Sequence, residues 1–290
     1  MKLLPLFVCM AVALSGCVSI TNPGQRIPAL APASAPKDNV GDTYVFSDGF
    51  VHQVLAVRGD QVTWALGPAG VLAQRSPDFF TPPHQWEHEG IQYSFEETHR
   101  EGDIWPMKEG RKLIVSGRLT VDQPSGKQTF DQTWTCTVPQ SERVQLVAGR
   151  FDTFVVDCSR TSDTGAHWQR RRFNYAPHLG HAVRFIEEMR AWGYPGYMFK
   201  QRDLTSFYTH ASQSYLDAFH QALSSAPSGQ VFVHPDKGED HRVELRSTYT
   251  MGKDRTCREV RVFEQKQAKH TAHYCFTQGW WSLASIKTMP

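Results

Sequence analysis

Alternation of apolar and polar residues dominates the chain from Gly41 onward. Leu113 to Val121 places its apolar residues on one face, and residues 130–138 and 153–159 repeat this pattern. A period of two predicts strands with one buried face, here arranged as an antiparallel meander or half-barrel. The sequence therefore predicts a mainly β protein of the α+β class, with an antiparallel β domain over residues 41–200.

One later segment has the period of a helix. Its apolar residues recur at spacings of three and four, with Asp203 available as N-cap and Pro227 as terminator: Leu204, Phe207, Tyr208, Ala211, Tyr215, Phe219 and Ala222. Strand patterns return from Gln230 to Leu283. Residues 201–290 are therefore predicted to form one amphipathic helix and a small antiparallel β domain.

Two proline-containing segments are less regular. Residues 18–40 contain Pro23, Pro28, Pro32 and Pro36, which favours an extended tether of up to roughly 70 Å at about 3.1 Å per residue. The stretch from Pro77 to Glu109 also contains prolines and is predicted to be a long excursion or flap between strands.

The amino terminus has the features of an export signal. The apolar run from Leu3 to Leu14 is shorter than the roughly 20 residues of a membrane-spanning helix, so residues 1–16 are predicted to be a signal peptide. Leu14-Ser15-Gly16-Cys17 resembles the lipobox of bacterial lipoproteins. That resemblance implies cleavage before Cys17, acylation of Cys17, and a lipidated tether over residues 17–40. An ordinary secretory signal that leaves Cys17 free is the alternative.

The residue after the lipobox bears on the expected location. In proteins with this motif an aspartate after the cysteine resembles an inner-membrane retention signal, whereas this chain has Val18. The resemblance therefore implies an outer-membrane anchor, with the body in the periplasm or at the cell surface.

Four further cysteines permit three disulfide pairings. Cys136 and Cys158 point toward the core from neighbouring predicted strands, which favours a bridge between them. Cys257 and Cys275 flank two adjacent strands of the second domain and are predicted to form the other bridge. Disulfides are typical of an oxidising compartment, and the Cys-x-x-Cys pairs of a structural zinc site are absent from the sequence.

The sequence indicates no catalytic residues, no metal site and no cofactor. Its net charge of +2 gives no basic field for nucleic acid. Asp163-Thr164-Gly165 matches the aspartic-protease tripeptide but lies where a hairpin must turn. Three histidine pairs have metal-like spacing without evident partners: His84 and His88, His178 and His181, His270 and His273.

The basic run Arg170-Arg171-Arg172 has two interpretations. It is predicted to be a solvated edge strand whose charges resist pairing with other sheets. Contact with an acidic partner, such as lipid A phosphate, is the alternative.

Two resemblances concern the body of the protein. Pro227-Ser228-Gly229, Cys257-Arg258, Cys275 and Gly279-x-Trp281 together resemble the surface-antigen domain of proteobacterial outer-membrane lipoproteins. In the middle of the chain, Trp105-Pro106, Gly149-Arg150-Phe151 and Tyr175-Ala176-Pro177 resemble periplasmic β domains similar in outline to the Lol-type lipoprotein carriers. Neither resemblance implies a catalytic residue.

The predicted function is a non-catalytic structural or binding module of the cell envelope, with an envelope protein or lipid as partner. The alternative is a carrier or sensor of an apolar ligand held in the concave face of the middle domain. In that case Phe130 and Trp134 would face the ligand and Pro77 to Glu109 would form the flap. An envelope hydrolase is the third and least favoured hypothesis.

Overall fold

A computed structural model describes residues 24–67, 71–76, 78–88, 90–162, 168–190, 197–208, 213–236, 239–251, 255–264, 267–277 and 280–288. These residues form a 13-stranded and a 5-stranded antiparallel sheet and one helix. The predicted mainly β fold is therefore confirmed. The signal peptide, Cys17 and the tripeptide at Asp163 lie outside the described residues.

The large sheet closes on itself. Its order is β1-β9-β10-β11-β12-β13-β2-β3-β4-β5-β6-β7-β8, and β9 also pairs with β8 to complete a barrel-like ring. The strands are β1 (Gln25–Arg26), β2 (Thr43–Phe46), β3 (Val51–Arg58), β4 (Gln61–Leu66), β5 (Val71–Arg75), β6 (Gln85–His88), β7 (Ile91–Asp103), β8 (Lys112–Gln123), β9 (Gly126–Leu146), β10 (Gly149–Ser162), β11 (Trp168–Ala176), β12 (His181–Arg190) and β13 (Tyr197–Tyr208).

Helix α1 (Gln213–Ser225) precedes the small sheet, whose strands follow in sequence order: β14 (Val231–Asp236), β15 (Glu239–Met251), β16 (Arg255–Glu264), β17 (Gln267–Thr277) and β18 (Trp280–Thr288). The apolar face of α1 presents Phe219 and Leu223 to Val243, Leu245 and Val260 of the sheet. None of the helical residues that the structure describes forms a segment with the length and apolar character of a membrane span.

Both predicted disulfides are present. Cys136 and Cys158 are cross-strand partners on β9 and β10, and Cys257 and Cys275 are partners on β16 and β17. Each bridge lies within a core, since all four residues are at most 1% exposed. Alternation predicts buried positions for Cys136 and Cys158, and the register brings each of the two pairs together.

The closed sheet is filled by two clusters of apolar side chains. One contains Phe80, Trp134 and Phe154, and the other contains Tyr44 and Trp64. Because successive side chains point to opposite faces of a strand, the residues between these positions form the outer surface.

The outer face of β2 and β3 carries the small domain. Val45 and Val51 pack against Ala272 and Leu283, and the Leu283 amide donates to Gln53 Oε1 over 3.1 Å in a buried hydrogen bond. The two sheets therefore share an apolar junction with a polar contact inside it.

The predicted start of the helix is wrong. Leu204, Phe207 and Tyr208 lie in β13, which pairs with β12 and β2, and the described helix begins at Gln213. The residues have helical spacing, but long-range pairing with β2 fixes an extended conformation. Residues 201–208 therefore belong to the large sheet rather than to the second domain.

The tether prediction is wrong for residues 24–40. β1 pairs with β9, the Ile27 amide donates to Ser141 O over 3.1 Å, and Ala33 forms a bridge with Met107. Leu30 and Ala33 also pack against the core. An extended proline-containing segment can lie along a sheet, and burial of its apolar side chains stabilises that position.

Two further predictions are corrected. The stretch from Pro77 to Glu109 is no flap between strands, because it contains β6 and β7 and contributes the buried Phe79 and Phe80. The run Arg170–Arg172 is not on an edge strand, because β11 pairs with β10 on one side and β12 on the other.

Candidate functional site

The two residues predicted to face a ligand have different environments. Trp134 is 2% exposed inside the core, with the Arg171 guanidinium 4.7 Å from its ring centroid. Phe130, four residues earlier on β9, is 41% exposed. The structure thus places Trp134 among packed side chains, and only Phe130 has an accessible ring.

A buried histidine pair, which the sequence analysis missed, lies within the closed sheet. His52 Nδ1 and His181 Nε2 are 3.0 Å apart. The His181 ring stacks on Tyr44 and Trp64, with centroid distances of 3.9 and 5.3 Å. His52 is on β3 and His181 on β12, so no local sequence signal joins them.

Burial keeps both imidazoles neutral. Burial, and after it the nearby Arg75 guanidinium, lowers the pKa of His181 to about 3. The pKa of His52 is well below its usual value, first through burial and then through His181, Arg75 and Arg202. Two neutral rings can share one hydrogen bond, so we assign the pair to the core rather than to a proton-transfer site.

The outer face of β11 to β13 carries a cleft of about 200 Å³, which we call the arginine cleft. Arg170 and Arg172 reach it because Arg171, between them, points into the core. The residues that define the cleft are Gly24, Glu142, Arg170, Arg172, Asn174, Arg184, Ile186, Glu188, Phe199 and Gln201.

Carboxylates hold two arginines of the cleft in place. Arg172 Nη2 donates to Glu142 Oε1 over 2.6 Å, and the Glu142 side chain is only 5% exposed. Arg184 makes two hydrogen bonds to Asp203, of 2.6 and 3.2 Å. Bidentate and buried pairs of this kind have defined geometry, so the cleft has a preorganised floor.

The rim of the cleft is less constrained. The Arg170 side chain is 46% exposed, and its Nη2 lies 3.5 Å from Asp157 Oδ2, which is a long distance for an ion pair. Its direct partner across the strands is Glu188, with Phe199 beyond on β13. A cation, an anion and an exposed ring therefore lie in one row across three strands.

One acceptor in the cleft is unsatisfied. Gln201 Oε1 is buried and receives no hydrogen bond from any residue in the described ranges, whereas the Gln201 amide nitrogen donates to Asp203 over 3.0 Å. Buried polar atoms normally have partners, so this oxygen favours a donor supplied from outside the chain.

A second cleft, the amide groove, lies on the outer face of β3 to β7. It has a volume of about 320 Å³, and we define it by Arg58, Gln61, Gln74, Gln85, Trp86, Glu87 and Gln92. Trp86 stacks on Tyr93 with ring centroids 4.9 Å apart and planes within 4°. Amides both donate and accept hydrogen bonds, which suits a polar partner rich in hydroxyl or amide groups.

Metal coordination is not suggested by the geometry. The part of the chain that the structure describes holds no group of three or more His, Cys, Asp or Glu side chains placed to share an ion. Of the histidines with metal-like spacing, His178 stacks on Phe151 and His273 Nδ1 lies 2.8 Å from the Tyr249 hydroxyl.

Comparisons with protein-family models, with curated proteins and with solved structures give no match. The two clefts and the amino-terminal motif are therefore the features that bear on function.

Proposed function

We propose that this protein is a non-catalytic binding module of the bacterial cell envelope, attached to the outer membrane through lipid on Cys17. The observation that carries the binding role is the division of the closed sheet into a filled interior and an outer face with two clefts. Ligands bind in concave sites with a few polar groups, and both clefts fit that description.

The envelope assignment rests on two independent features. Leu14 to Cys17 lies at the end of an apolar run of signal-peptide length. Both disulfides join buried strand partners, which supports folding in an oxidising compartment. The carrier hypothesis needs space beside Trp134, but that ring is packed among core side chains, so we do not propose it.

Lipidation is tested by replacing the acylated residue. Cys17→Ser should abolish labelling by a palmitate analogue and leave the precursor uncleaved, so that its mass still includes residues 1–16. Cys9→Ser, within the predicted signal peptide, is the matched control and should leave both readouts unchanged. A Cys17→Ser protein that is still labelled and still cleaved would overturn the anchor.

Binding is tested by photo-crosslinking in intact cells. A photoreactive residue at Gln74, in the amide groove, should give a specific adduct with an envelope component. The same residue at Gln145, an exposed glutamine of β9 outside the groove, should give none. Equal adducts from both positions, or none from Gln74 in anchored protein, would contradict a binding role for the groove.

A further inference from the structure

The number of residues between Cys17 and the arginine cleft limits how far the cleft can lie from the anchor. Gly24 follows Cys17 by seven residues, which span at most about 25 Å at roughly 3.5 Å per residue. Because β1 pairs with β9, residues 24–40 add no length to this connection. The body is therefore held close to the membrane into which Cys17 is anchored.

The arginine cleft lies only seven residues from Cys17 along the chain. Gly24 is one of its lining residues, and an added Cβ there would lie 2.6 Å from Glu142 Oε2 and 3.0 Å from Val144 Cγ1. Only glycine allows this close approach without displacing its neighbours. The cleft is thus joined to Cys17 by a short stretch of chain.

The groups in the cleft match a molecule that carries both charges. Arg170 and Arg172 can donate to a phosphate, whose oxygens suit guanidinium groups. Glu188 and the unsatisfied Gln201 Oε1 can accept from an ammonium group. Phe199, which is 42% exposed, and Ile186 offer an apolar wall beside these groups.

We propose that the arginine cleft binds the headgroup of a zwitterionic phospholipid that carries a phosphate and a primary ammonium, and so seats the outer face of β11 to β13 on the membrane surface. The phosphate contacts Arg170 and Arg172, and the ammonium contacts Glu188 and Gln201 Oε1. Membrane seating rests on the lipidation proposed above, whereas headgroup recognition depends on the cleft alone.

The test uses the full chain with Cys17→Ser, so that binding does not depend on the anchor. The probe is dihexanoyl phosphatidylethanolamine below its micelle concentration, titrated by NMR or calorimetry. The protein with an unaltered cleft should bind this lipid saturably. Arg170→Gln, which removes a largely exposed charge, should weaken it about tenfold, the effect of one lost charge-assisted hydrogen bond. Arg118→Gln on β8, also exposed and ion-paired, should have no effect.

A second variant separates the two ends of the headgroup. Glu188→Gln should weaken binding of the ethanolamine lipid about tenfold, the size expected for one charged contact, and should not weaken binding of dihexanoyl phosphatidic acid, which lacks the ammonium. No saturable binding, or equal behaviour of Arg170→Gln, Glu188→Gln and Arg118→Gln, would overturn the proposal. If the cleft binds the lipid but the wild-type protein proves not to be acylated in cells, the headgroup site is supported and only the membrane anchor is refuted.

Discussion

Acidification from pH 7 to pH 5 is expected to destabilise the closed sheet through the buried histidine pair. The folded state keeps His181 neutral down to a pKa of about 3, whereas the unfolded chain protonates near pH 6.5. This stabilisation is complete above pH 6.5 and is lost as the pH falls toward 3. By pH 5, His181 alone should reduce the free energy of unfolding by about 2 kcal/mol, and His52 acts in the same direction.

Asp38 opposes this trend and must be separated from it. Burial and the neighbouring Asp42 raise its pKa to about 6, although Arg75 lowers it. Asp38 therefore takes up a proton in the folded state before it does so in the unfolded chain, which favours folding at lower pH. A comparison of two proteins that both retain Asp38 cancels this contribution.

The measurement is urea unfolding at pH 7 and pH 5 for the wild type, His181→Gln and His99→Gln. Glutamine can still form a hydrogen bond with His52, so His181→Gln should fold. Between pH 7 and pH 5 its free energy of unfolding should fall by about 2 kcal/mol less than that of the wild type. His99 is exposed on β7, and its replacement should leave the pH dependence intact. An unchanged pH dependence in His181→Gln would refute the role of the pair.

Replacement of Arg258 should give the largest single-residue loss of stability in the small domain. Arg258 is 7% exposed, and its Nη1 donates to the carbonyls of Ala222 and Leu223 over 3.0 and 2.8 Å. Nη2 reaches Ala226 O, and Nε donates to Thr248 over 3.0 Å. One guanidinium thus satisfies the carbonyls at the carboxyl end of α1, where a positive charge is also favoured.

Arg258→Met should cost about 3 kcal/mol, because it removes the charged hydrogen bonds to Ala222, Leu223 and Ala226 and leaves the buried Leu223 carbonyl without this donor. Arg258→Lys should lie between Arg258→Met and the wild type, since an ammonium keeps the charge but lacks the planar fork. Amide hydrogen exchange of α1 and tryptophan fluorescence during urea unfolding would report the loss. Arg246→Met, at a 41% exposed side chain, is the control and should change stability by less than about 0.5 kcal/mol. Equal unfolding of Arg258→Met and Arg246→Met would contradict the capping role.

Local patterns in the sequence predicted individual strands and the side chains that each strand buries. Alternation identified the strands around Cys136 and Cys158 and placed both cysteines on a buried face, so their bridge followed from register. The same reasoning failed for Leu204 to Tyr208, where spacings of three and four occur in a strand whose partner is β2. A period describes which residues share a face, but a distant partner decides the backbone conformation.

The clefts and the histidine pair could not be predicted from local patterns, because their residues come from segments far apart in sequence. His52 and His181 come from strands far apart in sequence, and only closure of the sheet brings them to 3.0 Å. The arginine cleft likewise combines Gly24 with side chains of β11 to β13. The run Arg170–Arg172 is conspicuous in the sequence, but only the neighbouring strands show which arginines point outward and that Arg171 points inward.

Closure of the large sheet also sets the order of events during folding. Val45 on β2 pairs with Ser206 on β13, and the ring is open until that late segment has been synthesised. Meanwhile β2 and β12 each present an unpaired edge, which is a template for intermolecular pairing. Contacts of such long sequence separation form slowly. The small domain packs on β2 and β3, next to the β13–β2 pairing that closes the ring last. Its contacts therefore stabilise the closed ring against reopening at that pairing.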